Sequence, residues 1–301
     1  MIKKETKDVK IPGYLLAKSE RTIGRYAIGM EIGSGNYGKV YLGYHLTTKQ
    51  VVAIKEIPRK FKEVSNEIKK EARILLKLNH PNIVKMFGYF DDEHCYYLIL
   101  EYCRYGDLYE FLKHFPNNIV PEYQARILAQ QIFQGIKVMH ENNIVHRDLK
   151  LENILIADDY TPKIADFGLG RSAENGEDVL KTFCGTPIGM APEIKVGATY
   201  DAKCDIWSLG VMLYEILFGK LPFGNAKTRG DVMRTIQRDD WPAFPKLSNV
   251  TDAAKNLLRK MLIGNPKDRI DFDELFKHPW ITGEAEIPSP FPNGYNGGIC
   301  V

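Results

Sequence analysis

The sequence predicts an α+β protein of two lobes: a small antiparallel β-sheet lobe with one main helix, and a larger, mainly helical lobe. Three observations point there. From Tyr26 to about Leu100 the apolar runs are short and β-branched or aromatic. Beyond Cys103 apolar residues recur at helical spacing. Residues 205–218 (Asp-Ile-Trp-Ser-Leu-Gly-Val-Met-Leu-Tyr-Glu-Ile-Leu-Phe) are apolar on nearly every side, which suits a helix inside a domain rather than on its surface. Strands first and helices later imply segregated layers, and ligand sites favour the crevice between such units.

The elements follow in order. Residues 1–25 are mixed, basic and weakly patterned, an N-terminal extension that either docks on the domain or forms a mobile arm. Strands are expected at 39–42 (Lys-Val-Tyr-Leu) and 51–54 (Val-Val-Ala-Ile), joined by a hairpin turn at 47–50. A helix over about 65–78 puts Ile68, Ala72, Leu75 and Leu76 on one face. A second, 123–140, does the same with Leu128, Ile132, Ile136 and Met139. The tail, 282–301, is rich in Pro, Gly and Asn and is expected to lack regular structure. The domain therefore runs from 26 to 281, with lobes at about 26–102 and 103–281.

Bulk properties exclude several classes. A net charge of +3 does not suggest nucleic-acid binding. Five cysteines are an odd number without C-x-x-C spacing, so they read as reduced thiols in a cytoplasmic protein, not as a disulfide frame or zinc site. The start lacks the apolar core of a signal peptide, Ile2 replaces the glycine that myristoylation needs, and Cys300 is misplaced for prenylation. No apolar stretch is long enough for membrane insertion.

Four clusters carry chemistry. Gly33-Ser34-Gly35-Asn36-Tyr37-Gly38-Lys39-Val40 fits G-x-G-x-x-G-x-V, in which missing side chains let backbone amides approach phosphate oxygens. A dinucleotide site needs a helix straight after such glycines; here a strand pattern follows, which favours a hairpin flap over a nucleotide. Lys55 ends an apolar strand, where a buried ammonium needs an anionic partner: polyphosphate is one candidate and Glu71 another. In His146-Arg147-Asp148-Leu149-Lys150-Leu151-Glu152-Asn153, Asp148 suits a general base, and Lys150 suits a group stabilising charge on a transferring phosphoryl. Asn153 and Asp166, the latter in Asp166-Phe167-Gly168, are hard oxygen ligands suited to Mg²⁺.

Taken with Ala191-Pro192-Glu193, this series resembles the eukaryotic protein kinases over about residues 26–281, in family order. The resemblance implies a two-lobed kinase fold with ATP and Mg²⁺ as cofactors and protein substrates as partners. It implies that Lys55 grips the ATP phosphates and pairs with Glu71, preferred to Glu67 by the pattern that follows it. Asn153 and Asp166 would hold Mg²⁺, and Asp148 would be the base. Ile32, Gly33, Gly35, Gly38, Val40, Ala53 and Leu155 would enclose the nucleotide, with Leu100 as gatekeeper and Glu101 and Cys103 bonding through the hinge backbone. Glu193 would pair with Arg269, and Asp205 would anchor the catalytic loop.

Lys150 and Gly185-Thr186-Pro187 resemble the serine/threonine type, with Thr186 set to contact Asp148 and Lys150. Thr182 matches the family's activating threonine; Arg147 and Arg171 would receive its phosphate, added by an upstream kinase or in trans. Asp107, Glu152 and Glu215 resemble positions that read basic residues upstream of the phosphoacceptor. The chain departs from the family pattern at Gly189, where a bulky aromatic is usual, which puts substrate docking in question. Different stretches resemble the calmodulin-dependent and AMP-activated group, the autophagy-initiating kinases and the Aurora kinases. The rival readings are a pseudokinase scaffold that binds nucleotide without efficient phosphoryl transfer, and a small-molecule phosphotransferase. The first usually lacks a lysine, metal ligand or base that this chain keeps; the second lacks the activation segment seen here.

Overall fold

In a computed structural model of the chain, the described residues are 21–35, 38–59, 69, 72, 75–146, 148–166, 189–193, 202–224, 226–238, 241–246 and 248–287. The chain divides into two compact units, residues 1–79 with 85–103 and residues 80–84 with 104–301.

The first unit is a six-stranded antiparallel sheet. Its strands are β1 (Arg21–Ile23), β2 (Tyr26–Gly35), β3 (Gly38–His45), β4 (Val51–Pro58), β5 (Met86–Asp91) and β6 (Cys95–Glu101), in the order β1-β2-β3-β4-β6-β5. The two expected strands lie within β3 and β4, in their first halves or close to it, and the turn between them carries Lys49 at φ 60°. Side chains alternate across the sheet with period two. One face gathers the buried cluster Ile28, Val52, Ile54, Tyr97 and Ile99, closed by Tyr26, Tyr41 and Phe90. That burial fixes the register, because a one-residue slip would send Val52 and Ile54 to the opposite face. The other face is thereby assigned to Val40, Ala53, Lys55 and Leu100. Of the helix expected at 65–78, Lys69, Ala72 and Leu75 are helical, with Ala72 and Leu75 buried. Leu76 departs from expectation: it falls in the turn after the helical positions and is 44% exposed.

The second unit holds the helices α1 (Leu108–Leu112), α2 (Glu122–Glu141), α3 (Ala202–Phe218), α4 (Arg229–Ile236), α5 (Asp252–Met261), α6 (Phe272–Phe276) and α7 (Pro279–Thr282). It also holds a two-stranded hairpin, β7 (Ile154–Ile156) with β8 (Pro162–Ile164). Pro121 precedes the first turn of α2, where a missing N–H costs nothing. Its apolar stripe Leu128, Ile132, Ile136 and Met139 is buried as the spacing predicts. Gly135 lets α2 lie directly on β8: a Cβ there would stand 2.5 Å from Ile164 Cδ1 and 3.0 Å from the Asn82 carbonyl. α3 is interior, with Cys204, Ile206, Trp207, Leu209, Met212, Leu213, Ile216 and Leu217 all buried. Residues 283–287 form no regular element, as expected of the tail, yet the Arg126 guanidinium donates to the Ala285 carbonyl at 3.2 Å. The described cysteines Cys95, Cys103 and Cys204 take part in no disulfide. No described helix is long and apolar enough to cross a membrane.

Candidate active site

The sheet unit brings several predicted residues onto one face. Val40 pairs with Lys55 and Lys55 with Leu98, while Leu42 pairs with Ala53 and Ala53 with Leu100. Directly opposed residues of antiparallel strands share a face, so Val40, Ala53, Lys55 and Leu100 form one patch. Gly33 pairs with Val40 at its edge, and Ile32 sits in the register shift between Glu31 and Gly33, 42% exposed. The glycines divide into two kinds. A Cβ on Gly38 would lie 1.9 Å from the Glu56 carbonyl, so the fold itself requires glycine there. Among the described residues, nothing lies within 4 Å of where a Cβ on Gly33 or Gly35 would be. At the far end of the patch, Glu101 N–H donates to the Lys85 carbonyl at 2.8 Å, and Cys103 is buried.

The helical unit carries its own predicted residues on a loop held at several points. Asn153, nearly buried, donates through Nδ2 to the Asp148 carbonyl at 2.6 Å and to Asp148 Oδ2 at 3.1 Å. Lys150 Nζ stands 3.3 Å from the same carboxylate oxygen. Base candidate, ammonium and amide therefore meet within one turn, as their spacing predicts. His146 is fully buried, and its Nε2 lies 2.9 Å from the Ala165 carbonyl. A carbonyl only accepts, so the proton is on Nε2, which leaves Nδ1 to accept the Asp148 N–H at 3.3 Å. The Ala165 N–H in turn donates to the Asn153 carbonyl at 2.9 Å. Asp166 follows in the left-handed region (φ 56°), exposed. Such conformations outside glycine cost energy and cluster at functional sites.

Asp205 ties this loop to the interior. It is 1% exposed, and its Oδ2 accepts the His146 N–H at 2.9 Å and meets His140 Nε2 at 2.7 Å. The predicted partnership of Glu193 and Arg269 is bidentate, at 2.7 and 2.9 Å. The Arg269 guanidinium also donates to the carbonyls of Ile263 and Lys203, and lies 5.1 Å from the centre of the Trp207 ring. This satisfies a charge that is otherwise costly to bury. Among the described residues, a Cβ on Gly189 would meet only Val211 Cγ1, at 4.0 Å.

The three carboxylates expected to read basic residues separate. Asp107 Oδ1 caps α1, accepting the Glu110 N–H at 2.9 Å, and Asp107 bridges to Leu155 of β7. Glu152 is exposed and Glu215 half-buried, and these two interact: burial, and then the charge of Glu152, push the Glu215 carboxyl from 4.5 up to about 7. Glu71, Arg147, Arg171, Thr182 and Thr186 lie outside the described residues. The role of His140 had no sequence signal, because its partner is 65 residues distant, and although His146 opens the run that was singled out, its bond to the Ala165 carbonyl 19 residues on was not read there.

A family profile described as "Protein kinase domain" matches residues 26–281. The chain is 40% identical over 273 residues to the serine/threonine-protein kinase ATG1b of Arabidopsis thaliana, covering 88% of this chain and 38% of that protein. It is 37% identical over 270 residues to the SNF1-related protein kinase catalytic subunit alpha KIN12 of the same plant, covering 89% and 53%. It is 36% identical over 262 residues to an Aurora kinase of Eremothecium gossypii, covering 85% and 69%. The chain spans less than half the length of the ATG1 kinases it matches. By profile and relatives alike, the chain belongs to the protein kinase family, in its serine/threonine branch.

Proposed function

We propose that the chain is an ATP-dependent serine/threonine protein kinase, transferring the γ-phosphoryl group of ATP to Ser or Thr hydroxyls of protein substrates. The observation that carries this is the Asp148 carboxylate, held by Asn153 Nδ2 and faced by Lys150 Nζ, on a loop anchored by Asp205. A carboxylate so positioned orients the attacking hydroxyl and accepts its proton. Lys150 stabilises charge on the transferring group.

The remaining residues fit the nucleotide and its metal. No described residue crowds Gly33 or Gly35, and such open glycine backbone suits a cradle for phosphate. In the sheet unit, Val40, Ala53 and Leu100 supply apolar surface for a base, with Glu101 and Cys103 on the adjoining backbone, and Lys55 supplies a cation for phosphate; in the helical unit, Leu155 supplies a further apolar side chain. Exposed Asp166 and the side-chain oxygen of Asn153 would hold Mg²⁺, whose charge offsets that of the polyphosphate.

The reading extends to regulation and specificity. Phosphate on Thr182 adds about −1.5 to −2 charges for Arg147 and Arg171 to bind, and so raises activity. On the same reading Thr186 would serve the catalytic loop, and Glu152 and Glu215 favour basic residues upstream of the acceptor. Incubation of the chain with Mg·ATP and a generic protein substrate, followed by phosphosite mapping, tests the whole reading. Phosphoserine and phosphothreonine in wild type and neither with Asp148→Asn are expected; no labelling in either would refute it.

A further inference from the structure

After α7 the chain turns at Gly283, in the left-handed region at φ 89°, and runs back along α2. The Gln130 side-chain amide donates to the Ile281 carbonyl, and the Arg126 guanidinium to the Ala285 carbonyl at 3.2 Å. Glu122 and Ile287 then line one groove. Gln130, Arg126 and Glu122 are spaced four apart and so lie on one face of α2. The chain thus follows that face, about one helical turn per contact, and delivers Ile287 to a groove at the start of α2. The groove has a volume of about 1050 Å³, above the roughly 300–1,000 Å³ usual for small-molecule sites. Its wall is mainly apolar, with Phe115, Ile119, Val120, Leu217, Phe218 and Val250, and Ile119 is 38% exposed there. The described charged residues of the wall make no demand on an occupant. Glu122 accepts the Thr251 N–H at 2.7 Å and the Trp280 indole N–H at 2.8 Å, and Lys220 is exposed to water. One polar atom is left over. Ser248 Oγ, in the same wall, is buried and has no hydrogen-bond partner among the described residues, a costly state unless a further group bonds it.

The sequence that follows Ile287 matches this groove. Residues 288–301 (Pro-Ser-Pro-Phe-Pro-Asn-Gly-Tyr-Asn-Gly-Gly-Ile-Cys-Val) carry no charged side chain and space Phe291, Tyr295 and Ile299 four apart. Pro288, Pro290 and Pro292 lack N–H donors and favour the polyproline form, which docks on aromatic-lined grooves. We propose that residues 288–301 dock in this groove of their own chain, with Phe291 as the apolar anchor against Ile119 and Phe218 and a backbone group of the segment bonding Ser248 Oγ. In the polyproline form Phe291 comes about 12 Å after Ile287, which is within reach of a wall that Ile287 already joins. Connection through Ile287 gives the segment a high effective concentration, so docking needs little intrinsic affinity. A second copy of the chain would have to displace a segment tethered at the rim. Docking makes no use of the phosphoryl-transfer site, none of whose described residues lines the groove.

The test uses the full chain. Phe291→benzoylphenylalanine, irradiated, should crosslink to the segments 115–121, 217–220 or 245–250 of the same chain, as peptide mass spectrometry would read. A mixture of isotope-labelled and unlabelled chains separates linkage within one chain from linkage between two. Hydrogen exchange gives a second readout, since the Asn118 and Val120 N–H groups donate to the Phe115 and Ile216 carbonyls, each at 3.0 Å, beside the groove. Phe291→Asp, outside the described residues, should speed exchange at Asn118 and Val120 about tenfold, the factor expected when one large apolar anchor is lost. Ile119→Arg, at an exposed wall position, should speed exchange at the same two amides to a similar extent. The double variant should add nothing further, because both substitutions break one contact. Crosslinks confined to other segments, crosslinks only between chains, or none at all would overturn the proposal. So would exchange that Phe291→Asp leaves unchanged, or effects of the two substitutions that multiply in the double variant.

Discussion

Two acidic regions of the helical unit differ in what surrounds them. Asp148 is supplied with an amide donor at 3.1 Å and an ammonium at 3.3 Å, on a loop whose anchors are buried. Glu215 is supplied with a cavity and a second carboxylate. The same functional group is thus prepared for two kinds of work. Neighbours that favour charge suit a group that must accept a proton from a reacting hydroxyl. Neighbours that disfavour charge suit a group that waits for a cation from outside. Role follows from environment, and each environment can be dismantled separately.

The largest effect is expected at the first region. Asp148→Asn should lower kcat by about 10²–10⁴-fold while leaving the melting temperature nearly unchanged, as steady-state kinetics beside calorimetry would show; equal losses of rate and stability would instead make Asp148 a structural residue. Next comes the fully partnered charge that Glu215 lacks. Arg269→Ala strands Glu193 and two interior carbonyls and should cost about 3–5 kcal/mol of stability, read from urea unfolding. Asp205→Ala removes the acceptor of the His146 N–H and the partner of His140. About 1–3 kcal/mol should be lost, together with activity, because the loop bearing Asp148 loses its tether; retained activity in a destabilised protein would break that link.

The smallest effect is the most diagnostic. The Glu215 carboxyl is raised from 4.5 to about 7, so between those values the folded chain holds a proton that the unfolded chain has released. Stability therefore falls as pH rises through that window, and the loss is complete above it. Glu215→Gln, which carries no charge, should escape this. Its stability relative to wild type should improve by about 1 kcal/mol, after allowance for solvent screening, between about pH 5 and about pH 8. Parallel unfolding curves for the two proteins at both pH values would show that Glu215 is solvated like any surface glutamate.

How much was legible in the sequence depended on distance along the chain. Val40, Ala53 and Lys55 share a face because strand alternation is a local rule, and Asp148, Lys150 and Asn153 meet because they are separated by few residues. α2 announced itself through Leu128, Ile132, Ile136 and Met139. The hairpin β7–β8 did not, since three-residue strands are too short to display alternation. Leu76 was assigned to the buried face because periodicity cannot show where a helix stops. The resemblance named Asp205 as the anchor of the loop, but its partners His140 and His146, 65 and 59 residues away, follow from packing. The division of labour between Asp107 and Glu215 had the same origin. One is at the start of a short helix and spends an oxygen on its cap, whereas the other is drawn inward by an apolar helix.

Among the described residues nothing crowds Gly33 or Gly35, which makes those positions a gauge. Methyl groups placed there should be silent in the resting protein, so whatever they change on adding nucleotide is owed to the visitor alone. A pair of alanine variants would then trace the outline of the bound molecule, and the unliganded melting curve would serve as its own control.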